Sequence, residues 1–113
     1  MNKIISLKLN TQFKRLYSKG DSCVRPAVVL YVKKNGLSYN RLGITVGKKI
    51  GKAVVRNRAK RRLRELYRVN AHLMRGGYDI VMVARNSTVN VPYQKLANDF
   101  NAAVLKLGIL KND

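Results

Sequence analysis

Gly47-Lys48-Lys49-Ile50-Gly51-Lys52-Ala53-Val54-Val55-Arg56-Asn57-Arg58-Ala59-Lys60-Arg61 decides how this chain is read. Two glycines punctuate a basic loop. From Ala53 the pattern turns helical and runs to Met74, with Gly76-Gly77 behind it as a stop. At about 100° per residue, Val55, Ala59, Leu63, Leu66 and Leu73 share one face and can pack on a sheet. Asn57, Arg61, Arg64 and Arg68 fall opposite, flanked by Arg58 and Lys60. Lys48 to Arg68 holds ten of the 24 basic residues and one acid, Glu65. Arg62 adds to that charge. A solvated helix face ordinarily mixes signs to gain i, i+4 pairs, and this one barely does. Arg forks hold phosphate oxygens bidentately and stack on bases. The helix N-terminus beside Lys48, Lys49 and Gly51 favours a further phosphate. The segment reads as a polyanion interface.

Elements on either side predict a small sheet covered by helices. Asn10 to Tyr17 reads as a short helix, with Asn10 as its N-cap, Phe13 and Tyr17 on one face and Gly20 as the stop. Ala27 to Lys34 is rich in β-formers. Asn35-Gly36 is a turn signal, so a hairpin with Arg41 to Val46 is expected. Asp79 to Ala84 reads as a buried strand, and Asn86 to Val91 as a polar connection. Pro92 opens a last helix with the stripe Tyr93, Leu96, Ala97, Phe100, Val104 and Leu107. The order is α-β-β-α-β-α, an α+β single-domain α/β sandwich.

Composition agrees and excludes other classes. The chain has 113 residues, enough for one domain spanning 1–113, and 46% are hydrophobic, enough for a core. The formal net charge is +19. A domain this basic repels itself when folded, which points to a polyanionic partner. Asp21, Glu65, Asp79, Asp99 and Asp113 are the only acids, too scattered to pair for acid/base work. One histidine (His72) and one cysteine (Cys23) give no zinc set and no internal disulfide. No apolar run approaches the roughly 20 residues of a membrane helix. Met1 to Leu9 is too short for a signal peptide. A lone thiol fits a reducing cytoplasm. Cys23, Met74 and Met82 read as structural, and His72 as sitting near a helix end.

The spacing Lys48-Lys49, one residue, Gly51, then Arg56-Asn57-Arg58 resembles the signature of the bacterial ribonuclease P protein family. The basic segment is 47–68. The likeness extends through Leu9 to Gly20, Val28 to Tyr31 and Gly77 to Val81, with Ala84-Arg85 after it. Departures are modest. Gly47 stands where the family often has Ser, Ala59 is smaller than usual, and Arg62 is an added charge. The resemblance implies a ribosomal protein S5 domain 2-like sandwich with a left-handed βαβ crossover. Strand chemistry alone predicts the right-handed form.

It also implies a division of labour. The catalytic ribonuclease P RNA, with bound Mg²⁺, hydrolyses a phosphodiester to free the 5′ leader of precursor tRNA. The protein supplies no catalytic residue and no metal ligand. Lys48, Lys49, Lys52, Arg56, Asn57, Arg58, Lys60, Arg61, Arg64 and Arg68 match the RNA-binding set. Asn57 is the one uncharged member, able to meet RNA or the water of a bound metal, or merely to face solvent. Phe13, Tyr17 and Tyr31 match a cleft for single-stranded leader, with Lys14, Arg15 and Arg25 as phosphate contacts. By residues alone Phe13 and Tyr17 fit a core pair equally well. One protein per RNA is expected, in the cytoplasm and away from membranes. Two other readings are a ribosomal or general structural RNA-binding protein and a self-sufficient nuclease. The basic spacing argues against the first, the poor acid and histidine inventory against the second.

Overall fold

The structure, a computed structural model, describes residues 4–111. Its helices are α1 (Asn10–Lys19), α2 (Ala53–Asn70) and α3 (Tyr93–Leu107). The strands are β1 (Asp21–Val24), β2 (Val28–Lys34), β3 (Arg41–Thr45) and β4 (Tyr78–Ala84), in sheet order β1-β2-β4-β3. β4 runs antiparallel to β2 and parallel to β3, so β3-α2-β4 is a βαβ unit.

Two expectations change here. The hairpin across Asn35-Gly36 is not formed, because β4 lies between β2 and β3. The turn itself is real. Gly36 has φ +74°, and the Asn35 side chain accepts from Leu37 N and donates to Tyr39 O. A turn motif reverses the chain; it does not choose the neighbour. The second change is an added strand, β1, making the order α-β-β-β-α-β-α. Of its four residues only Cys23 is buried, opposite Leu30, so no apolar alternation announced it.

Alternation along β2 and β4 divides the molecule. Val28, Leu30, Val32, Ile80, Met82 and Ala84 face α2 and α3. Against them pack Ala59, Leu63, Leu66 and Tyr67 of α2, and Leu96, Phe100, Ala103 and Val104 of α3. Each fully buried Leu or Phe contributes about 1.5–3 kcal/mol. Leu73, assigned to this face, is instead 47% exposed, because α2 ends at Asn70 and Ala71–Leu73 forms a 3-10 turn. Tyr67 is buried instead, and that burial raises its phenol pKa. Met74 and Met82 are core, and Cys23 is buried.

The other sheet face carries Val81, covered by Leu7, Phe13 and Leu16. α1 starts differently from expectation. Asn10 is its first helical residue, and Gln12 Oε1 accepts from Lys8 N and Leu9 N at 3.0 Å each. α1 ends where Gly20 slides between Leu16 O and Val32 O, which a Cβ would meet at 2.7 and 2.9 Å.

Buried charges lock the layers. Asp99 Oδ2 accepts from Ala27 N at 2.8 Å, and Oδ1 faces Arg25 and Lys95. Burial alone would raise the Asp99 carboxyl pKa. The Ala27 amide, Lys95 and Arg25 outweigh it and hold it low. Arg41 grips Asp79 with two 2.8 Å bonds, which raises the guanidinium pKa further.

Candidate nucleic-acid interface

α2 buries one side and leaves the other to solvent. Asn57, Arg58, Lys60, Arg61, Arg64 and Arg68 are exposed, as their spacing predicts, and so are Lys48, Lys49 and Lys52 ahead of the helix. Among the described residues, Lys48, Lys49, Lys52, Arg56, Arg58, Lys60, Arg61 and Arg64 make no ion pair. Arg56 is half-buried, and its Nε is shut from solvent without an acceptor.

The approach to the helix suits an anion. Lys48–Ile50 is a 3-10 turn, and Gly51 at φ +149° turns the chain into α2. A Cβ there would press on Val55 at 3.0 Å. Lys52 caps α2 without a side-chain bond, so the first amides stay available.

Two arginines behave differently from their neighbours. Arg68 closes its fork on Glu65, at 3.0 and 2.6 Å, which lowers the Glu65 carboxyl pKa. Arg62 turns away from the row and donates to Thr88 O, Val89 O and Val91 O at 2.7–2.9 Å. It is a structural staple on the loop before α3.

The aromatic set gathers on the α1 side of the sheet. Tyr17 and Tyr31 meet edge to face, centroids 5.0 Å apart at 76°. Tyr17 Oη shares a hydrogen bond with Thr45 Oγ1. Phe13 packs on β3 at Gly43, where a Cβ would meet its ring at 2.5 Å. α1 leaves part of this face open, with Val24 64% exposed and Val29 and Val83 half-buried. Lys14 is exposed on the Tyr17 flank of α1. Arg15 is exposed on the opposite flank, beside Gln12, Arg41 and Asp79. Arg25 does not join them, because its guanidinium points to Asp99 of α3, across the sheet. Thr45 and Arg62 carry roles that sequence patterning missed. Their partners lie 28 and 26 or more positions away, beyond any local signal.

A family model for ribonuclease P matches residues 1–108. The chain belongs to the ribonuclease P protein family. A ribonuclease P protein component from Natranaerobius thermophilus is 41% identical over 113 residues, all of this chain and 98% of that one. One from Alkaliphilus oremlandii is 37% identical over 112 residues, covering 99% and 98%. The solved RNase P protein of Staphylococcus aureus superposes with a TM-score of 0.81 at 34% identity, covering 97% of this chain and 100% of that one. That of Thermotoga maritima gives 0.80 at 31%, covering 89% and 96%. The α+β sandwich is therefore the ribonuclease P protein fold, and the family serves the ribonuclease that processes tRNA 5′ ends. No described helix of this family member is long and apolar enough to cross a membrane.

Proposed function

We propose that this chain is the protein component of a cytoplasmic ribonuclease P ribonucleoprotein, one copy per catalytic RNA. The row of unpaired cations around Arg56-Asn57-Arg58 carries the reading. α2, with Lys48, Lys49 and Lys52, lies on the catalytic RNA. Tyr17 and Tyr31, over the open part of the sheet, receive the 5′ leader of precursor tRNA, with Phe13 beneath α1 and Lys14 beside them. Stacking on such rings is worth about 1–3 kcal/mol per base and tolerates any base. Arg15 stands on the far flank of α1 and contacts leader only beyond that point. Arg25 serves the fold.

Cleavage in this reading belongs to the RNA, with Mg²⁺ held there. Glu65, Asp79 and Asp99 are each engaged by a cation of the protein itself, so they are poor metal ligands. The protein neutralises phosphates and adds substrate contacts, which lowers the Mg²⁺ needed.

The left-handed crossover belongs to the same reading. Leu42 turns its N–H and C=O outward to Ile5 and Leu7, and its side chain joins the core under α2. For L-residues that arrangement favours β4 to the left of β3, seen from α2 with the strands running up.

The test combines the protein with a bacterial ribonuclease P RNA and 5′-labelled precursor tRNA at low Mg²⁺. Stimulated leader release is expected. No stimulation over RNA alone overturns the proposal, and cleavage by the protein alone would place the chemistry in this chain.

A further inference from the structure

Tyr17 is held at two points. Its ring meets Tyr31 of β2 edge to face, with 5.0 Å between centroids and 76° between planes. Its Oη shares a hydrogen bond with Oγ1 of Thr45, the last residue of β3. Strand β4 lies between those two strands, so the Tyr17 side chain bridges it. The register places Val24, Val29, Val83 and Thr45 in one row across the sheet. All four point to the α1 side, because their chain neighbours Cys23, Leu30, Met82 and Ile44 pack into the core on the other face. At about 4.8 Å between strands, the row is about 14 Å long. Tyr17 covers its Thr45 end. The other end is open, with Val29 half-buried and Val24 64% exposed.

We propose that Thr45 is the positioning residue of the leader cleft. Its hydroxyl holds the Tyr17 ring across the sheet, so that an unpaired base laid on the valine row meets one fixed wall. This rests on the reading of Tyr17 and Tyr31 as the leader site. The bond contributes little to folding, because both hydroxyls lie at the surface, where water would satisfy either one as well. Packing needs only the ring, which a phenylalanine would supply equally. What the bond adds is direction. An untethered exposed tyrosine turns among rotamers, and ordering it on binding weakens the complex. Two rings at 76° cannot both lie parallel to one base, so a base stacked on one meets the edge of the other. The tether from Thr45 fixes which arrangement the leader finds. Thr45 acts through Tyr17 and needs no contact with the leader itself.

The test uses the protein assembled with the catalytic RNA. It measures affinity for precursor tRNA whose leader is long enough to cross the sheet, divided by affinity for a single-nucleotide leader. Thr45→Val keeps the branched shape and removes the hydroxyl. It should lower that ratio by about threefold to tenfold, and Tyr17→Phe should lower it as far. Thr45→Ser keeps the hydroxyl and should hold the parent ratio. Both of the first two changes remove one bond, so the double variant should lose no more than the larger single loss. Three results overturn the proposal: an unmoved ratio in Thr45→Val, a fall in Thr45→Ser as deep as in Thr45→Val, or additive losses in the double variant. A change that only loosens the fold lowers both affinities alike and leaves the ratio unmoved. Tyr31→Leu reports the parent reading. If it lowers the ratio and Thr45→Val does not, the positioning role alone fails; if neither does, the leader reading fails with it.

Discussion

Glu65 is the only acid in the cationic segment, and it occupies Arg68 with both carboxylate oxygens. Glu65→Gln should release that fork, tighten RNA binding and steepen its salt dependence by about one phosphate equivalent. Arg61→Ala and Arg64→Ala should each weaken binding and flatten the slope by about one. Affinity titrations across a salt series check both, and an unmoved slope in either alanine variant means the outer face is not the RNA face. Asp99 supplies the pH response. Its folded pKa is lowered below the unfolded value of about 3.9. The stabilisation is therefore present above that value and lost as pH falls through the folded one. Asp99→Asn should be less stable than the parent at pH 7 and should show a flatter decline below about pH 4. Urea melts from pH 7 to 3 test this, and parallel acid limbs would refute it. Outward residues such as Arg61 were legible from helical spacing. The partners of Arg25 and Arg68 were not, since a cation in sequence looks the same whether free or paired.

Elements show the same division. The periodicity of α2 and α3 placed the centre of each buried face, because a helix face is a local property of spacing. Leu73 and Tyr93, read into those stripes, are 47% and 45% exposed, and the buried Tyr67 and Asp99 lay outside them. β1 escaped notice because an edge strand needs only one inward apolar residue to pair with β2. The Asn35-Gly36 turn was legible, but β4 inserts between the strands it joins, and that follows from where α2 returns the chain. Arg62 couples α2 to the loop before α3. Arg62→Met keeps the stem and removes the donors to Thr88, Val89 and Val91, which should cost about 2–3 kcal/mol. Thermal or urea unfolding measures the loss. The salt slope of RNA binding should stay unchanged, whereas an outer-row arginine would lower it.

Across the molecule, +19 is held with four ion pairs among the described residues, none of them on the row from Arg56 to Arg64. Self-repulsion there opposes folding, and salt screens it. The thermal midpoint should rise between about 0.01 and 0.15 M salt, and a polyanion should raise it further by binding only the folded state. A midpoint that falls or stays level over that range would contradict this account. Length, charge, the helix and strand patterns along the chain and the Lys48-to-Arg61 spacing were enough to specify a single α+β domain, a polyanionic partner and a family, because composition and periodicity are written residue by residue. The neighbour order of the strands, the pairing of Arg25 with Asp99 and the contact between Tyr17 and Thr45 came only with the folded chain. Each joins positions far apart in sequence, and such contacts exist only after the layers have packed.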